Sequence, residues 1–97
     1  MGQFAKDINL DVQEMHIVAE NGDVQHVRYD QLVKIEHGSE EVKKWFRTKN
    51  VSVLRLHIRA KDEPVVVRED LMNASFDATV SALKKYADKY QVEFTTF

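Results

Sequence analysis

The chain has 97 residues and no cysteine, which excludes disulfide bonds and metal sites built from thiolates. This composition fits a reducing compartment, so we expect a cytoplasmic protein. Three glycines are too few for a glycine-rich phosphate-binding loop. The longest purely apolar run, residues 65–67, is far shorter than the roughly twenty residues that span a bilayer, and no secretory leader opens the sequence. These absences favour a soluble single domain over residues 1–97 without a transmembrane segment.

Charge is distributed unevenly along the chain, although the net charge is only −2. Residues 1–30 carry two basic against six acidic side chains, residues 31–61 eight against three, and residues 62–97 four against seven. A basic centre between acidic ends fits either a surface for an anionic partner or strands that form salt bridges with their neighbours.

Residues 75–90 have the spacing of an amphipathic α-helix. Apolar side chains recur every three or four positions, which places them on one face; they are Phe76, Val80, Leu83, Ala87 and Tyr90. Asn73 or Ser75 can cap the helix, because a short side-chain oxygen accepts hydrogen bonds from free N–H groups of the first turn. Such a helix must bury its apolar stripe against a matching surface.

Alternating apolar and polar residues predict strands at 13–20, 24–30 and 51–60. Asn21 and Gly22 between the first two indicate a hairpin. Shorter strands are expected at 32–35 and 64–69. Residues 1–11 fit a strand or a helical turn, and residues 92–97 an edge strand or a packed tail. The sheet face expected to meet the helix consists of Met15, Ile17, Val27, Tyr29, Leu54, Leu56, Ile58 and one or two of the valines at 65–67.

Residues 39–49 show two patterns at once. Val42, Trp45 and Phe46 have helical spacing and Ser39 could act as a cap, yet the segment also alternates as a strand would. We favour a short helix at 39–48 or an irregular excursion. The predicted fold is therefore α+β, an antiparallel sheet of five to six strands with one C-terminal amphipathic helix packed against it.

The pattern of residues 22–36, with Val27-Arg28-Tyr29-Asp30 followed by Leu32, Val33 and Ile35, resembles the bacterial pleckstrin-homology-like (PH-like) domain. The Phe76-Asp77 pair that opens the helix is similar to the closing feature of that family. The resemblance covers about residues 13–90. It implies a scaffold for protein–protein or headgroup contact without enzymatic activity, although the family usually has seven strands.

A basic, partly aromatic set in the middle of the chain is the main candidate contact surface. Its members are Lys43, Lys44, Trp45, Arg47, Lys49, Arg55, His57 and Arg59. Clustered cations can bind phosphates, and Trp45 and Phe46 could stack on bases. In the alternative interpretation both aromatics lie in the core, and the row on strand 51–60 pairs with Glu14, Glu20 or Glu69.

The remaining residues suggest little chemistry. His16, His26 and His57 should project from one outer face, but none has the spacing of a zinc or nickel ligand pair, so exposed strand histidines explain them better and no metal site is assigned. No catalytic motif or cofactor site is recognisable. An outer apolar patch could support a homodimer; its candidates are Val18, Val53, Val65 or Val67, and Phe94.

The sequence therefore predicts a non-catalytic interaction or adapter module, not an enzyme. It would bind a protein partner through the outer sheet face or residues 39–49. The alternative is binding of nucleic acid or another polyanion through the basic residues 43–61.

Overall fold

The computed structural model describes residues 3–72 and 75–97, with the backbone alone at Gln3, Phe4 and Lys44. These residues form seven strands and one α-helix. The strands are β1 (Gln3–Leu10), β2 (Glu14–Ala19), β3 (Val24–Arg28), β4 (Leu32–Lys44), β5 (Arg47–Ile58), β6 (Val65–Arg68) and β7 (Glu93–Thr96). The helix α1 (Phe76–Tyr90) lies between β6 and β7, and 3₁₀ turns occupy Tyr29–Gln31 and Glu69–Leu71.

The seven strands form one mixed sheet in the order β3-β2-β1-β6-β5-β4-β7. β1 runs parallel to β6 and β7 runs parallel to β4, while the other pairs are antiparallel. The α+β architecture with a C-terminal helix is confirmed, but the purely antiparallel sheet of five to six strands is wrong. The two segments left open at the ends of the chain are both strands, and each adds a parallel pair that joins residues far apart in the sequence.

Residues 39–48 form no helix, contrary to the prediction. From Lys34 onward, β4 and β5 make one continuous ladder that ends at the pair Lys44 and Arg47, so only Trp45 and Phe46 form the loop. Residues 39–44 form a strand because β5 offers each of them a partner in the ladder. Pairing between strands outweighs the weak helix propensity of this segment. The alternating pattern was the one that the chain follows.

α1 packs on the sheet through the predicted stripe. Phe76, Leu83 and Ala87 are buried, while Val80 and Tyr90 are partly buried and pack against the same core. Among the described residues, no helix combines the length and the hydropathy that crossing a membrane requires.

Both ends of α1 have recognisable caps. The hydroxyl of Ser75 accepts a hydrogen bond from the N–H of Ala78 at 3.3 Å. Asn73, the other candidate cap, lies outside the described residues. At the other end Gln91 adopts the left-handed conformation, with φ of 57°, and its N–H bonds to the carbonyl of Ala87. The helix therefore stops where the chain must turn into β7.

The sheet face that packs against α1 is the one predicted from the alternation of apolar and polar residues. All seven predicted residues are buried in one cluster with the helix, and two of the valines join them. The cluster includes Met15, Ile17, Val27, Tyr29, Leu54, Leu56, Ile58, Val65 and Val67. The proposed outer apolar patch is wrong, because Val53 is also fully buried and Phe94 packs partly against the core.

Three tyrosines link the end of β3 to α1. The ring of Tyr29 stacks on Tyr86 at a centroid distance of 4.3 Å and on Tyr90 at 5.2 Å. The Tyr29 hydroxyl donates a hydrogen bond of 2.6 Å to the carbonyl of Asp11. Burial of the phenol raises the pKa of Tyr29 above its ordinary value. Tyr29 therefore joins the helix, a loop and the sheet at one point.

Candidate functional site

The distal half of the β4–β5 hairpin extends beyond the rest of the sheet. β7 pairs with β4 only at residues 34–37, and β6 pairs with β5 only at residues 53–56. Within residues 3–72 and 75–97, the outer pairs of this hairpin therefore have no third strand beside them. We call residues 41–50 the arm. Its four ladder pairs span about 14 Å at the usual rise per strand residue, which places the loop well away from the core.

The loop at the end of the arm carries the two most exposed large apolar side chains of the described residues. Trp45 is 97% exposed and Phe46 is 98% exposed. Trp45 has a positive φ of 53°, in the left-handed region. Two-residue hairpin loops normally place glycine, asparagine or aspartate where φ is positive, because a bulky side chain is strained there.

Packing within the folded chain does not explain why residues 45 and 46 are aromatic. Each exposes a large apolar surface to water, and one does so from an unfavourable backbone conformation. A contiguous exposed apolar patch can mark a binding surface, and features that violate local folding rules concentrate at functional sites. The interpretation that placed Trp45 and Phe46 in the core is wrong.

The arm is also positively charged. Lys43, Arg47 and Lys49 are exposed, and none of them forms an ion pair with another described residue. The side chain of Lys44 lies outside what the structure describes. Glu41 is the one acidic residue in the arm's sequence. The aromatic loop is thus flanked by cations whose charge is available to a partner.

The cations nearer the body of the sheet are engaged. Arg55 pairs with Glu40 at 3.0 Å, and His57 Nε2 lies 2.6 Å from a carboxylate oxygen of Glu36. The hydrogen bond from His57 holds the pKa of Glu36 below its ordinary value, helped by nearby cations. Arg59 is exposed just beyond the end of β5.

Salt bridging between strands was therefore the correct interpretation of the row on β5, although its acids come from β4 rather than from Glu14, Glu20 or Glu69. The seven candidate residues whose side chains the structure describes do not form one surface. They divide into the exposed cations and Trp45 of the arm, the paired Arg55 and His57, and the separate Arg59.

The outer face of the sheet beside this row is covered by the last residue. Phe97 lies over Gly38, where an added methyl group would come within 2.7 Å of both the Phe97 ring and its carbonyl oxygen. The guanidinium carbon of Arg55 lies over the same ring, 4.1 Å from its centroid. Because Gly38 is paired directly with Val53, this contact helps to bury an apolar side chain on the outer face. That part of the face offers little free apolar surface.

Sequence reasoning missed one grouping on the other half of the sheet. His16 and His26 lie beside Glu14. The third candidate, His57, is on β5, two strands beyond β1, and is held there by Glu36 of β4. The spacing rules for helices and loops do not apply to strands, where ligands come from alternate positions and from the residue opposite. The signal that could have found this group is the register of the β2–β3 hairpin.

No family model, no curated protein and no solved structure matches this chain. The resemblance to the bacterial PH-like domain therefore stays a prediction. Functional inference depends on the residues themselves.

Proposed function

We propose that this protein is a non-catalytic interaction module that binds a protein partner through the arm. The observation that carries the proposal is the pair of exposed aromatics at the end of a projecting hairpin. Trp45 is the anchor in this proposal and Phe46 its neighbour, both entering an apolar pocket of the partner. Exposed tryptophans of this kind commonly provide a large share of binding energy when a partner buries them.

The charge of the arm indicates the kind of partner. Lys43, Arg47 and Lys49 surround the aromatics without an ion pair among the described residues. The matching surface is an apolar cleft with an acidic rim, because complementary charge accelerates association and rejects wrong partners. The outer sheet face, the other surface considered, is less suitable since Phe97 and the paired Arg55 occupy part of it. A cytoplasmic location completes the proposal.

The experiment that tests the proposal uses a photo-reactive amino acid. Placed at position 46, it should crosslink one partner in cells of the source organism. The matched control carries the same group at Val33, which is 55% exposed but lies on β4 outside the arm. We expect crosslinking from position 46 alone, and loss of the product when Trp45→Ala is added. Equal products from both positions, or a product insensitive to Trp45→Ala, would contradict the proposal.

A second candidate function is binding of nucleic acid or another polyanion by the arm. The same unpaired cations favour it, and Trp45 could stack on a base. Against it, Arg55 and His57 already have carboxylate partners, so few cations remain for a phosphate backbone.

Trp45 is the only tryptophan, so its fluorescence reports directly on the loop. Titration with generic RNA and DNA at low salt should leave the emission unchanged if the partner is a protein. A saturable change that weakens steeply with salt, and that Lys49→Glu removes, would favour the polyanion instead.

A further inference from the structure

We propose that Glu14, His16 and His26 form a binding site for a divalent transition-metal ion of the zinc class. The site lies on β2 and β3, at the opposite edge of the sheet from the arm. It is therefore independent of the proposed function, and neither proposal depends on the other.

The ladder brings these three side chains together. Glu14 and His16 occupy alternate positions on β2 and so face the same side, while His26 on β3 is directly opposite His16. One oxygen of Glu14 lies 3.1 Å from His16 Nε2 and 3.6 Å from His26 Nδ1. All three ligand atoms lie within 4.8 Å of one another. Three potential ligands from a paired hairpin thus converge on one point.

These distances suit a bound zinc ion. Zinc holds nitrogen and carboxylate oxygen at about 2.0–2.2 Å in a tetrahedron, so two ligand atoms lie roughly 3.3 Å apart. The rotation needed to reach that spacing is small. It is available because the side chains are 31% exposed at His16, 38% at Glu14 and 61% at His26. The backbone positions need no change, since the strands fix them.

The chemistry of the three side chains selects the metal. Two imidazoles and one carboxylate suit zinc, nickel or copper, whereas magnesium and calcium prefer oxygen ligands alone. A glutamate side chain is ordinarily anionic at neutral pH, so Glu14 offsets part of the charge of the ion.

Three protein ligands leave one position of a tetrahedral ion open. A cleft lined by Asp11, Arg28 and Asp30 opens beside Glu14. The guanidinium of Arg28 is held by Asp30 at 2.7 Å, which offsets its repulsion of a cation. The side chains of His16 and His26 are 31% and 61% exposed, so water or a small ligand can reach the open position from solvent. The arrangement corresponds to zinc sites that keep an exchangeable position rather than to closed structural sites.

The test is calorimetric titration of the untagged chain with zinc chloride. We expect one ion per chain. Changes of the residues around a ligand commonly weaken metal binding 10- to 100-fold, so Glu14→Gln, His16→Gln and His26→Gln should each weaken it at least tenfold. The matched control is His57→Gln, which removes a histidine from the same side of the sheet but outside the cluster and should leave zinc affinity unchanged. Circular dichroism checks that every variant is folded.

Imidazole NMR signals provide a second readout that does not depend on the variants. Zinc should shift the ring nitrogens of His16 and His26 before those of His37 and His57. No heat of binding with millimolar zinc would overturn the proposal. So would affinity that survives all three substitutions, equal weakening by His57→Gln, or magnesium binding as tight as zinc.

Discussion

Replacing Trp45 with glycine should stabilise the folded chain, although it removes a large aromatic residue. The indole is 97% exposed, so almost no packing is lost. The backbone at this position has a φ of 53°, which glycine adopts without steric conflict. The same substitution should abolish binding to the proposed protein partner. Stability and binding would then change in opposite directions.

The magnitude follows from two opposing effects. A residue with a Cβ atom pays roughly 1–2 kcal/mol in the left-handed conformation. Glycine also gives the unfolded chain more freedom, which costs about 0.5–1 kcal/mol. The difference is a stabilisation of about 0.5–1 kcal/mol, and in a domain of this size it should raise the melting temperature by about 2–8 °C.

Urea denaturation followed by far-ultraviolet circular dichroism measures this difference, because the substitution removes the only tryptophan. Phe46→Gly is the matched control. Phe46 is 98% exposed but does not have a positive φ, so glycine there should destabilise by about 0.5–1 kcal/mol. If Trp45→Gly lowers stability as much as Phe46→Gly does, the argument from backbone strain is wrong.

Three further predictions concern the core, the outer face and pH. Leu83→Ala should cost about 2–5 kcal/mol, because Leu83 is fully buried; an unchanged thermal midpoint would show that α1 packs differently. Gly38→Ala should displace Phe97, because the ring and carbonyl of Phe97 lie 2.7 Å from the added methyl group. The amide of Phe97 should then exchange with deuterium faster, and unchanged protection of this amide would contradict the prediction. Stability should fall as pH rises above about 10, since the raised pKa of Tyr29 keeps its proton on in the folded state while the unfolded chain releases it. Tyr29→Phe should flatten that fall in alkaline melts, and equal slopes for both proteins would refute the assignment.

The parts of the fold that the sequence predicts are those in which a local period decides the structure. The stripe from Phe76 to Tyr90 repeats every three or four residues, and the alternation around Leu56 repeats every two. Each pattern is consistent with only one element, and both lie in the core as expected. The parallel pairs were not predictable in this way, because β1 with β6 and β4 with β7 join segments whose pairing leaves no local trace.

The arm shows why the candidate site was only partly predicted. Its cations were identified from composition, but a tryptophan and a phenylalanine together are normally buried, and helix and strand periods overlap in this short segment. Only the partner strand decides that Trp45 forms the loop of a hairpin. The grouping of Glu14, His16 and His26 was missed for a similar reason. The sequence places His16 and His26 on one outer face, but only the pairing set by the loop around Gly22, which has a φ of 94°, makes them direct partners.

In the part of the chain that the structure describes, no strand lies beside the outer half of the β4–β5 hairpin, and this has a consequence for how the protein could change. Substitutions in the arm need not preserve packing against a third strand. The sequence of these ten residues can therefore be changed while the rest of the fold is kept. A different recognition sequence grafted between Glu40 and Val51 should be displayed on an intact scaffold, provided that its flanks keep the strand alternation.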